Sequence, residues 1–153
     1  MKWYNKYLKV YNKPFSEDFY PICDEVKKRM ESLQCEKPVV TISVIAYNEE
    51  KHLLACLWSL CNQVCHYPIE IIGVNNDSSD RTTEIFERCG VTYYTETKHS
   101  CGYARLCGLN HARGQYHINI DSDTMYPPPS AEIRVEAMMK TKSVGASSLW
   151  SYI

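Results

Sequence analysis

Asp121 and Asp123 stand two residues apart, with Ser122 between them, in the stretch NIDSDTMYPPP. Two like charges this close repel unless a proton or a cation relieves them. No basic residue adjoins them in the sequence, so a divalent metal is the expected relief. Oxygen donors of this kind suit Mg2+ or Mn2+, ions that keep several waters and share their coordination with substrate phosphates. In a strand, residues i and i+2 point to the same face. A strand that continued to Asp123 would therefore aim both carboxylates at one ion. A lone D-x-D is also a common form of solvated acidic turn, so its place in the fold decides which reading holds.

That place follows from the hydrophobic pattern. VVTISVIA is a continuous β-branched run, as in a strand buried on both faces. After YNEE comes KHLLACLWSLCNQ with helical period; Asn48 is the expected cap, with Glu49 and Glu50 in the first turn. IEIIGVNN reads as a second strand and DSSD as a loop. RTTEIFERC reads as a helix capped by Ser79 or Asp80 and ended by Gly90. VTYYTE is a third strand, CGYARLCGLNHARG a helix stopped by Gly114, and YHINID a fourth strand. SAEIRVEAMMKT is helical, and VGASSLWSYI is a last strand. Alternation of this kind predicts an α/β fold, a mostly parallel Rossmann-like sheet of order 3-2-1-4 flanked by helices. Ligands bind such sheets at the carboxyl ends of the strands, where the order reverses. Tyr47-Asn48-Glu49 closes strand 1 and Asp121-Ser122-Asp123 closes strand 4, so both meet in one cleft. No G-x-G-x-x-G follows strand 1 and no P-loop is present, so phosphates would be held by metal and side chains.

Residues 1–37 differ from the rest, and the chain divides into this helical extension and a domain over 38–153. Trp3, Tyr4, Tyr7, Leu8 and Tyr11 recur at helical spacing, with Lys2, Lys6, Lys9 and Lys13 opposite. Such a basic-aromatic helix would dock on the domain, or rest on an anionic membrane surface through residues 1–13. Pro14 breaks it, and EDFYPICDEVKKRMESL reads as a second helix.

The 153 residues suit one domain or part of a larger one, and the net charge of −1 leaves no nucleic-acid footprint. No apolar run approaches ~18 residues and no signal h-region opens the chain. A cytoplasmic location is expected, at most peripheral to a membrane. The eight cysteines include no C-x-x-C pair, which leaves buried free thiols as the expectation. The five histidines show no joint metal spacing.

Taken together, AYNEE, NQ, VNNDSSDRT, GYARLCGLNHARGQY and IDSDTMYPP resemble the family-two glycosyltransferases, specifically the nucleotide-sugar-binding half of the fold called GT-A. The likeness runs from about Pro38 to Ile153. It implies transfer of a sugar from a UDP- or GDP-linked donor, with inversion at the anomeric carbon, to a saccharide or lipid-linked acceptor. It also implies site residues. Ile45 stands where relatives often carry Pro, Ala or Thr and would offer a backbone contact. Tyr47 matches a tyrosine beside the nucleobase, and Glu49 the glutamate after the asparagine. Asn76 stands where many relatives have the aspartate that bonds the base. Arg105 matches an arginine near the nucleotide, on a helix whose Ala104, Gly108 and Ala112 let it approach the sheet. Asp121 resembles the carboxylate near ribose and metal, and Asp123 the direct metal ligand.

Relatives continue into an acceptor half that carries the general base. No candidate for that base stands in this sequence, so it is expected beyond Ile153, and the fold is incomplete at the C-terminus. The last strand would then leave an edge able to pair with another chain. Two further readings stay open: a short module that binds nucleotide-sugar without transferring it, and a sugar nucleotidyltransferase. The latter calls for a glycine-rich basic loop where YNEE stands.

Overall fold

The computed structural model describes residues 1–142. The expected last strand at 144–153, and self-association through it, lie outside the described residues. Among the described residues, four strands form one parallel sheet in the order β3-β2-β1-β4. They are β1 (Val40–Ala46), β2 (Ile69–Asn75), β3 (Thr92–Thr95) and β4 (Tyr116–Asp121). Five α-helices accompany them among the described residues: α1 (Tyr20–Leu33), α2 (Leu53–Leu60), α3 (Thr82–Arg88), α4 (Cys101–His111) and α5 (Ser130–Thr141). The order and the alternation are those the hydrophobic pattern predicts.

Burial explains why β1 is central. Val40, Ile42, Val44 and Ala46 face one side and Thr41 and Ser43 the other, all at 2 % exposure or less. On the first side lies α2, all eight of whose residues are buried. On the second lies α4, which approaches closely because it presents Ala104 and Gly108. A Cβ on Gly108 would stand 2.7 Å from the Ser43 hydroxyl. Ala112, the third member of the expected small-residue stripe, is already extended and outside the helix.

Three local expectations need correcting. Residues 1–13 do not form one amphipathic helix. They make successive turns with a single 3-10 turn at Tyr7–Lys9. A short isolated helix is costly to nucleate, and here docking decides the backbone. Tyr7 is 2 % exposed and meets Trp58 edge-on at 5.3 Å, and Val10 is equally buried. The aromatic side chains that would have entered a membrane thus pack on the core, with Trp3, Tyr4 and Tyr11 half-covered against it. Among the described residues no helix is long and apolar enough to cross a membrane. Tyr7, Val10, Phe15, Cys23, Val26 and Met30 belong to the same buried cluster as β1 and α2.

Asn48 does not cap α2. It takes a left-handed conformation (φ 50°), and its side-chain oxygen accepts from the Ser79 N–H at 2.8 Å. The helix starts five residues later, at Leu53, whose N–H donates to the Glu49 carbonyl. Nor does Gly114 stop α4, which ends at His111. Glycine is required there for a different reason. A Cβ would lie 2.6 Å from the Thr41 backbone nitrogen, and the Gly114 N–H donates to the Thr41 hydroxyl at 2.8 Å. Backbone cannot yield as a flexible side chain can. Gly114→Ala is expected to lose about 1–3 kcal/mol, the usual range for overpacking, measurable by urea denaturation. Other signals read as expected: Asp80 accepts from the Thr82 N–H at the start of α3, and Gly90 (φ 65°) ends that helix. All eight cysteines are free, and Cys23, Cys56, Cys61 and Cys89 are buried.

Candidate functional site

Parallel register brings the strand ends to one level. Ala46 pairs with Asn75, Asn75 with Thr95, and Ile45 with Asp121. The segments that follow these ends therefore lie side by side at the carboxyl edge of the sheet, and the order reverses between β1 and β4. Ile45 itself is half-buried in β1.

The loop after β1 and the loop after β2 are laced together. The Asn48 N–H donates to the Ser78 hydroxyl, the Glu49 N–H to the Thr82 hydroxyl, and the Glu50 N–H to the Asp80 carboxylate, each near 3 Å. In return the Glu50 carboxylate accepts the Arg81 N–H. Much of YNEE and DSSDRT thus serves to hold one loop against the other. Glu49 keeps a carboxylate at the site edge, with its Oε2 2.8 Å from His52 Nδ1. A carboxylate only accepts, so Nδ1 carries the proton.

Tyr47 is 52 % exposed, an open aromatic ring at the cleft. His99 meets it edge-on at 5.4 Å and lies 3.1 Å from the Asp77 carboxylate. Asn76 is buried. Its amide nitrogen donates to the carbonyls of Glu96 and Lys98 at 2.8 and 2.7 Å. Carbonyls cannot donate, so these contacts fix which end of the amide is the NH2. What remains for a ligand is the Asn76 carbonyl, an acceptor.

The D-x-D turn departs from the strand picture. β4 ends at Asp121, Ser122 is 3 % exposed, and Asp123 is carried by the following turn. The same-face rule for i and i+2 does not apply. What holds the turn is a set of hydrogen bonds to its carbonyls instead of a ladder. The Tyr126 hydroxyl donates to the Asp121 carbonyl at 3.2 Å, and the Cys56 thiol lies 3.8 Å from the same oxygen. Burial, then the charges of Asp123, Glu49 and Asp121, push the Cys56 thiol well up, so it stays protonated beneath the carboxylates. Burial likewise raises the Tyr126 phenol. Gln63 secures the exit: its nitrogen donates to the Pro127 carbonyl at 2.7 Å, and its oxygen receives Ser130 and Ala131.

The fold also supplies the basic neighbour absent from the local sequence. Arg105 Nη2 lies 3.4 Å from Asp121 Oδ1, with both side chains about half or more exposed. Such a pair is weak and open to exchange. The Asp123 carboxylate accepts from the Thr124 hydroxyl at 3.1 Å. Among the described residues no three His, Cys, Asp or Glu side chains converge. Mg2+ bound with a phosphate substrate needs only one or two protein carboxylates, so the donor set is of the right kind.

Sequence patterns did not single out His99, Tyr126, Cys56 or Tyr11 as site neighbours, since none lies in a spacing that points to the cleft. A cavity of about 560 Å3 lies at the opposite, amino ends of the strands, between Met30, Glu70, Thr92, His111 and Arg113. There Glu70 is already taken by Thr41 and Arg113. A second cavity, of about 480 Å3, lies between β4 and α5 and reaches Asp121.

Comparison with known proteins agrees with this geometry. The profile of the family described as "Glycosyl transferase family 2" matches residues 41–151. EpsH of Bacillus subtilis, provisionally named a glycosyltransferase, is 34% identical over 102 residues, covering 63% of this chain and 29% of its own length. The chondroitin synthase of Escherichia coli is 26% identical over 124 residues, covering 77% of this chain and 18% of the synthase. This chain spans about a third or less of these relatives. Among solved structures, residues 1–349 of TarS from S. aureus superpose with a TM-score of 0.59 at 21% identity, over 73% of this chain and 38% of that one. The mannosyltransferase of Pyrobaculum calidifontis, solved with GDP-Man and Mn2+, gives 0.52 at 19% identity, over 81% and 40%. These two share the fold. With the family profile covering most of the sheet and its connecting loops, the chain belongs to glycosyl transferase family 2.

Proposed function

We propose that this chain is the donor-binding half of an inverting glycosyltransferase that takes a UDP- or GDP-linked sugar with Mg2+ or Mn2+. One observation carries the reading. An exposed tyrosine, an acceptor amide, an arginine and two carboxylates share the carboxyl edge of the sheet at its reversal point. Tyr47 offers its ring to the base. The Asn76 carbonyl would accept a ring N–H of uracil or guanine. Arg105 would turn from Asp121 toward the diphosphate oxygens, a match its planar fork favours. Glu49 borders the cleft, and Ile45 contributes backbone. Asp123 would hold the metal, with Asp121 beside it. The metal, when bound, would offset charge on the departing nucleoside diphosphate. An inverting transfer also needs a base at the acceptor hydroxyl. We assign that base, and the saccharide or lipid-linked acceptor, to the part of the relatives' length this chain does not span.

Calorimetric titration of UDP and GDP, with and without Mn2+, tests the reading. Metal-dependent binding of one nucleotide is expected, and Tyr47→Ala is expected to weaken it by about 1–3 kcal/mol, the usual worth of base stacking. A folded chain that binds neither nucleotide would overturn the donor-site reading. An unchanged affinity in Tyr47→Ala would remove the tyrosine from it.

A further inference from the structure

The family match begins at residue 41, yet a side chain from well before it reaches the D-x-D turn. The Tyr11 hydroxyl donates to the Asp123 carbonyl at 3.0 Å, across 112 positions of sequence. The Tyr11 ring lies 5.1 Å from the His52 ring, and His52 in turn holds the Glu49 carboxylate. Tyr11 therefore touches both loops that meet at the site, the one after β1 and the one after β4. We propose that Tyr11 is a positioning residue for Asp123, so that the N-terminal segment is part of the donor site and not only a cover for the core. This inference rests on the metal-assisted donor site proposed above.

Two features support it. First, Tyr11 is itself well placed. Tyr7 and Val10 are buried just before it, and Asn12 (φ 56°) turns the chain just after it. A ring anchored on both sides loses little freedom when its hydroxyl makes a bond. Second, Asp123 needs such a partner. It lies beyond the β4 ladder, so the sheet does not position it. The Tyr126 hydroxyl holds the turn at Asp121, and Tyr11 holds it two residues later. A ligand held in its binding geometry before the ion arrives binds it more tightly, because less ordering remains to be done.

A tyrosine that merely fastens the segment would use its ring. A positioning tyrosine uses its hydroxyl. Tyr11→Phe separates these, since it keeps the ring against His52 and removes the donor. In the ligand-free variant, amide hydrogen exchange at 122–125 is expected to speed up about tenfold, with β1 exchange and the melting temperature close to the parent's. In titrations with Mn2+, affinity for UDP or GDP is expected to fall about tenfold, while metal-free affinity stays the same. Unchanged exchange at 122–125 overturns the role of Tyr11 whatever the chain binds. A parent with metal-dependent binding that Tyr11→Phe matches also overturns it, and leaves the donor site standing. A parent that binds no nucleotide with metal overturns the donor-site reading, and this inference with it.

Discussion

Asp123→Ala is expected to abolish the Mn2+-dependent part of nucleotide binding and to leave the fold intact. The two carboxylates of the turn are not equivalent. Asp121 has a guanidinium 3.4 Å away, which already offsets part of its charge. Asp123 is exposed, and among the described residues its carboxylate meets a hydroxyl, that of Thr124, and no cation. An incoming divalent cation would thus find its less contested ligand at Asp123. Changes in outer-shell partners alone cost about 10–100-fold in metal affinity. Loss of a direct ligand should cost at least about 100-fold. Stability should hardly change. Asp123 bears no buried side chain, and exposed substitutions usually stay within about 0.5 kcal/mol. The carbonyl that Tyr11 holds belongs to the backbone and survives in the variant. Calorimetry with Mn2+ and UDP or GDP, beside a thermal melt, measures both halves of this expectation. Equal affinity in parent and variant would remove the turn from the metal site.

The second large effect concerns the extension. A chain of residues 38–153 alone is expected not to fold. The reason lies in α2, whose eight residues are all buried. A helix that is apolar all round must be covered all round. The sheet covers one side. The other is covered by the N-terminal segment and α1: Tyr7 packs on Trp58, Lys6 lies over the same indole at 5.3 Å, and Glu25 accepts the indole N–H at 3.0 Å. Further along, Arg81 sits over the Phe15 ring at 4.9 Å, and Tyr20 donates to Glu84 at 2.9 Å. Each buried apolar side chain of the segment is worth roughly 1.5–3 kcal/mol. Tyr7, Val10, Phe15, Cys23, Val26 and Met30 are six of them. Against a total stability of about 5–15 kcal/mol, their loss is decisive even after the entropy of ordering the segment is returned. The deletion would also leave an apolar face of α2 in water, a surface that promotes association. Near-ultraviolet circular dichroism and urea denaturation of the 38–153 chain would check this. A cooperative transition at the parent's midpoint would show that the extension is dispensable.

These two expectations draw on different kinds of information. The alternation of strands and helices, their parallel order and the meeting of YNEE with IDSD were all legible from the chain. Each depends on a local pattern: β-branched runs such as VVTISVIA, helical periods, and Gly90 at a helix end. Topology then follows from general rules for parallel sheets. Asp121 and Asp123 could be singled out for the same reason, as a carboxylate pair where a buried strand ends, whereas Tyr47 and Arg105 were named only through the resemblance to family-two glycosyltransferases.

Tertiary structure decided the rest, wherever the partner of a group lies far along the chain. Apolar and aromatic spacing at 3, 4, 7, 8 and 11 reads as a helix, but Trp58 sets the actual path of that segment. Asn48 suits a helix cap by type, but Ser79 claims its side chain. Gly114 suits a helix stop, but the nearness of Thr41 is what requires it. Arg105 is sixteen positions from Asp121 and Tyr11 more than a hundred from Asp123. Local propensity describes what a segment prefers by itself. These contacts arise only when the sheet has formed and brought distant loops to the same edge, and there the competition for each donor and acceptor is settled.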